Sequence, residues 1–264
     1  MAQREFPLGR GILYGLYQNR IRRFLATQEL PKHIAMILDG NRRWARQRLL
    51  ETAAHGHRAG AAKFREFLIW CDDLGIATAT LYLLSTDNLA GRATEELDEL
   101  LQIIADLAED LSHFRNWRVQ HVGSEDGLPA HLIEALKAAE KRTSANTGMH
   151  INLAVGYGGR REIADAMRSI VTKHEEEGGT LDALAEILTP ELIGDHLYTG
   201  GQPDPDLVIR TSGEYRLSNF LLWQSAYAEL VFLDVLWPDF GPAEFGGALA
   251  EFARRERRFG ARPA

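Results

Sequence analysis

Cysteine is almost absent: Cys71 is the single one in 264 residues. That excludes an internal disulfide and a cysteine-built metal cluster. Set in an apolar stretch, Cys71 reads as core filler rather than a reactive thiol. No run approaches the roughly 18 consecutive apolar residues of a helical membrane span. The first residues also lack the long apolar stretch of a secretory signal, so the expected compartment is the cytoplasm, with loose membrane association as the lesser alternative. There is no basic excess either. Lys and Arg number 30 against 37 Asp and Glu, a formal net charge of −7, which argues against a nucleic-acid partner. Internal repeats, low-complexity tracts and Pro/Ser-rich linkers are missing too. What remains is 45% apolar and 25% charged, an ordinary globular composition with enough chain to bury a core.

The apolar pattern alternates between strand and helix. Residues 12–25 (ILYGLYQNRIRRFL) space apolar groups at helical intervals with arginines opposite, predicting an amphipathic helical extension over 1–30. A catalytic domain follows over 31–264. Strands are expected at 33–38, 76–84, 117–122, 149–155, 206–210 and 229–233. Helices are expected near 58–73, 94–111, 129–143, from Arg161, and over 242–258. The stretch 174–205, with Gly178-Gly179 and three prolines, reads as a surface loop. Six apolar strands separated mostly by helices predict a single α/β domain: a mostly parallel six-stranded sheet with helices on both faces.

In such sheets the ligand crevice lies beyond the carboxyl ends of the strands. The first strand ends in Asp39-Gly40-Asn41, followed by Arg42, Arg43, Arg46 and Arg48. The second ends in Ser85, Thr86, Asp87 and Asn88. The fifth gives Arg210, with Arg216 and Ser218 beyond, and the sixth begins at Glu229. A local arginine cluster against a globally acidic charge points to a small anionic ligand. Gly40 permits close backbone approach, and a helix starting just after it offers free N–H groups to an anion. Guanidinium forks bind phosphate oxygens through charge-assisted bonds. So many of them suit two diphosphates held together, their repulsion offset by arginines and Mg²⁺, with Asp39 as a hard oxygen ligand. Bland readings compete at several positions. Asp-Gly-Asn alone is a common turn; GYGGR at 156–160 reads as a plain strand-to-helix connection; His55 reads as a polar surface turn; Arg254, Arg255, Arg257 and Arg258 could be a solvated helix face.

The blocks DGNRRWA (39–45), GHRAGA (56–61), YLLSTDN (82–88), GYGGRREI (156–163), DLVIRTSGEYRLSNFLLWQSAYAEL (206–230) and WPDF (237–240) resemble the cis-prenyltransferases, the Z-isoprenyl diphosphate synthases of the undecaprenyl diphosphate synthase family. The resemblance covers about 33–260, and its short-chain branch shares GNRRW. It implies a doubly wound sheet with an apolar tunnel, a homodimer, Mg²⁺, and condensation of isopentenyl diphosphate with an allylic diphosphate. On it, Asp39 and Asn88 are catalytic. Gly40, Asn41, Arg42 and Arg43 surround the allylic diphosphate, with Trp44, His57, Ser85, Thr86, Asp87 and Leu89 also lining the substrates. Arg210, Arg216 and Ser218 match the isopentenyl diphosphate site. Asp39 and Glu229 match metal-associated carboxylates, and Arg258 the R-x-G that reaches across the dimer.

Departures from the family pattern are local. Arg42 and Ser212 replace glycines, Asp87 stands for Glu, and Leu89 for an aromatic. A family arginine falls at Ala53, for which Arg46 or Arg48 could compensate. Leu83 and Leu84 are expected on the tunnel wall, and their bulk favours a short product such as Z,E-farnesyl diphosphate. Each further isoprene would need room for five more carbons. A long-chain (undecaprenyl or decaprenyl) synthase, an irregular coupling enzyme and a non-catalytic adaptor of the same fold are the alternatives. The product would pass to a membrane or to other prenyl-using enzymes.

Overall fold

The computed structural model describes residues 24–50, 52–91 and 94–255. The expected helix at 12–25, apart from Phe24 and Leu25, and the R-x-G arginine Arg258 lie outside them. Leu25 is buried and the Arg254 guanidinium sits 5.4 Å over the Phe24 ring, so the end of the extension packs on the last helix.

In chain order the elements are β1 (His33–Ile37), α1 (Asn41–Gln47), α2 (Ala53–Asp73), β2 (Thr78–Ser85), α3 (Thr86–Gly91), α4 (Thr94–Ser112), β3 (Arg118–Val122), α5 (Ala130–Thr143), β4 (His150–Tyr157), α6 (Gly159–Glu176), α7 (Leu181–Ile187), α8 (Pro190–Asp195), β5 (Leu207–Arg210), β6 (Glu229–Phe232) and α9 (Pro242–Arg254). The six strands form one sheet in the order β3-β4-β2-β1-β5-β6, and every pairing is parallel.

Strand β1 is buried at all five positions because it lies mid-sheet and both faces are covered. Its alternation divides the core. Ile34 and Met36 enter the larger cluster with Phe67, Leu68, Ile104 and Leu249 from α2, α4 and α9. Ala35 and Ile37 enter a smaller one with Tyr157, Val208, Phe220 and Leu221. The chain leaves β1 for β2 on one side and returns through β5 on the other. That reversal is the topological switch point, where a crevice opens.

Two expectations change. Helix α2 starts at Ala53, so His55 lies in its first turn rather than in a surface turn. The expected loop at 174–205 contains α7 and α8, because Thr180 and Thr189 cap them, accepting from the N–H groups of Ala183 and Leu192, and Pro190 opens the second. Neither helix buries a residue, so no apolar stripe announced them.

Candidate active site

Gly40 adopts φ +112°, and an added Cβ there would lie 2.9–3.1 Å from Leu236. The turn it makes aims Asp39 outward and starts α1 at Asn41. The GHRAGA block has a packing explanation. A Cβ on Gly56 would sit 2.1 Å from the Asn41 carbonyl oxygen, and one on Gly60 2.5 Å from Asn41 Oδ1. Two glycines one helical turn apart therefore let α1 nest on α2. Trp237 of the WPDF block closes the same joint, donating from Nε1 to the Gly60 carbonyl at 2.9 Å and from its backbone N–H to Asp39 O at 3.1 Å.

Arg210, buried at the end of β5, donates from Nη2 to Asp39 Oδ2 at 2.8 Å. Its Nη1 donates to Ser218 Oγ at 2.7 Å and to the Arg216 carbonyl at 2.6 Å. Arg43 Nη2 stands 3.8 Å from Asp39 Oδ2 and 3.9 Å from Glu214 Oε1, and Arg216 pairs with Glu214. Burial pushes the Asp39 carboxyl up, but Arg210, Ser212 and Arg43 outweigh it and hold the group below the usual carboxylate range. Asp39 is thus an anion ringed by guanidiniums.

These groups line a cleft of about 720 Å³, within the usual range for small-molecule sites. Its polar end holds Asp39, Gly40, Asn41, Arg42, Arg43 and Arg46. Arg210, Arg216, Ser218 and Asn219 join them from the β5 side. His57, Ser85, Asp87 and Asn88 complete the rim. Ser85 Oγ accepts from the Asn88 N–H at 3.0 Å, capping α3, a short helix where the sequence suggested only a strand end. The other end of the cleft is apolar: Leu83 and Leu84 with Phe64, Leu100, Ile103, Ile104 and Leu107. Neighbouring residues of a strand normally face opposite ways, yet Leu83 and Leu84 both line the cavity. The register of β2 against β4 slips between Tyr82 and Ser85, and such a bulge re-aims side chains.

Four of the described candidates do not line the cleft. Trp44 lies under the Arg48 guanidinium, 4.3 Å from the ring. The Thr86 side chain packs beside Gly158, and Leu89 packs on the main core near Gly127. Glu229 Oε2 accepts from Arg255 Nη1 at 2.6 Å, so Arg255 is an ion-pair partner rather than a solvated cation. Between the two arginines that could replace the one expected at Ala53, Arg46 lines the cleft. Arg48 is turned to Asp239 at 2.6 Å. GYGGR is a connection: Gly159 N–H donates to Asn219 O at 2.7 Å and Arg160 N–H to Asn219 Oδ1 at 2.9 Å, so protein already caps α6.

Sequence reasoning missed Tyr82 and the α4 wall. Tyr82 lines the cleft, stacks on Phe220 with centroids 4.5 Å apart, and donates to the Ser218 carbonyl at 3.2 Å. Burial raises its hydroxyl to about 12, so it stays a donor. The α4 residues carried a signal: 100, 103, 104 and 107 follow helical spacing.

An open parallel sheet whose switch point holds a guanidinium-ringed carboxylate, backed by an apolar pocket, can take a charged head and an apolar tail in one cleft. The sequence model of the undecaprenyl diphosphate synthase family of prenyltransferases matches residues 37–260, and the chain belongs to that family. It is 52% identical over 248 residues to the (2Z,6E)-farnesyl diphosphate synthase of Thermobifida fusca, covering 94% of this chain and 97% of that protein. It is 48% identical over 251 residues to a short-chain Z-isoprenyl diphosphate synthase of Mycobacterium bovis, covering 94% and 95%. The crystal structure of lavandulyl diphosphate synthase from Lavandula x intermedia in complex with dimethylallyl diphosphate superposes with a TM-score of 0.81 at 37% identity, covering 88% of this chain and 98% of that one.

Proposed function

We propose that this chain condenses isopentenyl diphosphate with an allylic diphosphate (dimethylallyl, geranyl or farnesyl) to give a short Z-configured prenyl diphosphate such as Z,E-farnesyl diphosphate. The observation that carries the reading is the junction within one cleft of Asp39, Arg43, Arg210 and Arg216 with an apolar end walled by Leu83, Leu84 and α4. The names of the similar proteins support it.

The allylic diphosphate lies over Gly40–Arg43 and Arg46, where α1 begins. The isopentenyl diphosphate lies against Arg210, Arg216 and Ser218. When the allylic C–O bond breaks, charge builds on the departing diphosphate, and fixed guanidiniums stabilise it without reorganising. Holding both substrates in one cleft removes much of the entropy of their meeting. Asn88, near the start of α3 and lining the cleft, would guide the C2 proton to a diphosphate oxygen.

Among the described residues no group of three or more His, Cys, Asp or Glu is arranged to hold a metal ion. The donor set still fits Mg²⁺, which is usually bound by one or two carboxylates and completed by substrate phosphates and water. Asp39 would hold it, and bound there it would neutralise diphosphate charge as a Lewis acid. Glu229, paired with Arg255, is proposed as the further metal-associated carboxylate. We propose in addition a homodimer in which Arg258 reaches the partner's cleft, and a cytoplasmic location. Loose membrane association would serve product hand-off.

A short product follows from packing. Each isoprene buries five carbons, worth up to about 4 kcal/mol at roughly 0.8 each, and that gain stops when the wall leaves no volume. Purified protein incubated with Mg²⁺, isopentenyl diphosphate and each allylic primer should yield short products, with Z geometry and regular linkage by NMR. A C50–C55 ladder would establish the long-chain alternative, a branched linkage the irregular one, and no product the adaptor.

A further inference from the structure

Arg42, where the family pattern has glycine, spends its charge on helix α4. Its Nε donates to Glu96 Oε1 at 2.6 Å, and His57 Nε2 lies 3.2 Å from the same oxygen. The contact joins three elements: α1, which opens the diphosphate loop, α2, and the first turn of α4. Glu96 also stands at the head of a functional stripe. Counting along α4, Leu100, Ile103 and Leu107 follow it at intervals of four, three and four, so all share one helical face. Those apolar residues, with Ile104, wall the cleft. Further along, α4 is anchored in the main core by Leu101, Ala108 and Leu111. Among the described residues, its first turns pack there only through Leu97 and Leu100, pair Glu99 with Arg58, and leave Glu95 and Asp98 exposed.

We propose that the Arg42–Glu96 pair is a clasp that sets how far the front of α4 leans over the apolar end of the cleft, making Arg42 and Glu96 positioning residues for product length. Closing the clasp presses Leu100 and Ile103 inward and shortens the space available to the growing chain. Severing it lets the first turns of α4 tilt away about their buried rear, and room for another five-carbon unit appears at the wall. The charge at position 42 is thereby tied to chain length as well as to diphosphate binding. The inference rests on the prenyl-transfer reading above.

The test uses the full chain with Mg²⁺, isopentenyl diphosphate and geranyl diphosphate, and reads the ratio of longer to principal product at matched conversion. That ratio separates wall position from overall rate, which Arg42 variants also alter through the diphosphate. Glu96→Gln and Arg42→Gly should raise the ratio by about two- to fivefold, the scale of a partly exposed ion pair. Arg42→Lys should raise it less, and the exchange Arg42→Glu with Glu96→Arg should return it towards wild type. A lower rate with an unchanged ratio in Glu96→Gln overturns the clasp, as does an exchange variant no better than either single change. If the wild-type chain makes regular product while the ratio never moves, the clasp alone fails. If it makes no product, the prenyl-transfer reading falls and the clasp with it.

Discussion

Arg210 and Asp39, 171 residues apart in sequence, meet at 2.8 Å across the adjoining ends of β5 and β1. The guanidinium is buried to 4% exposure, whereas the carboxylate is 35% exposed to the cleft. One fork thereby fixes the nucleus of the site and, through Ser218 Oγ and the Arg216 carbonyl, the shape of the loop that follows β5. Replacing Arg210 with Ala should destabilise the fold by about 1.5–3 kcal/mol, the scale of hydrogen bonds to charged groups. Under the proposed assignment it should also raise KM for isopentenyl diphosphate more than KM for the allylic primer. Chemical denaturation and steady-state kinetics check the two effects separately.

Ser212 carries φ +87°, a left-handed conformation that costs an L-residue about 1–2 kcal/mol. Its backbone is fixed there, since its N–H donates to the Val235 carbonyl at 2.8 Å. Its buried Oγ has no hydrogen-bond partner of normal geometry, although it lies close enough to Asp39 to favour the ionised carboxylate. Ser212→Gly should therefore stabilise the protein by about 1 kcal/mol, seen as a raised denaturation midpoint.

The glycines of α2 should behave oppositely. Gly60→Ala would place a methyl 2.5 Å from Asn41 Oδ1 and 2.9 Å from Trp237. Overpacking of this kind costs about 1–3 kcal/mol. It would also displace α1, so turnover should fall further than stability alone explains. Gly75→Ala meets no neighbour within 4 Å but sits at φ +75°, and it should cost stability without touching turnover.

Much of this arrangement was legible in the sequence, for identifiable reasons. The strands were, because apolar runs such as 33–37 and 206–210 end abruptly in charge and the switch-point rule then collects those ends. The α4 wall was written in helical spacing but could not be assigned to a cleft until the fold brought α4 to the cavity that Leu83 and Leu84 also line. The double exposure of Leu83 and Leu84 to one cavity depends on a bulge, which period-two patterning does not encode. The partners of Arg48 and Glu229 were not legible, because Asp239 and Arg255 are distant in sequence and no local signal links them.

Stability should fall in mild acid. Burial holds His33 below its ordinary 6.5, against the opposing effects of the Pro203 carbonyl and Asp206. It lowers His150 to about 4, helped by Arg118 and His33. Both are neutral in the folded protein, whereas the unfolded chain takes up protons near 6.5. Stability from these groups is therefore full above about 6.5 and is lost as pH drops from there towards 4. Denaturation midpoints across that window should slope downward, and His150→Gln should flatten the slope.

The proposed function requires Asp39 as the ionised centre of a diphosphate-handling cleft. The most direct test measures incorporation of isopentenyl diphosphate into Z-configured product, with Mg²⁺ and a geranyl primer, by wild type and by Asp39→Ala. The variant's fold is confirmed by an unchanged circular dichroism spectrum. Wild type should give product and the variant should lose about 10²–10³-fold or more, the range for removing a preorganised electrostatic group. A folded Asp39→Ala protein turning over at the wild-type rate would contradict the proposed function.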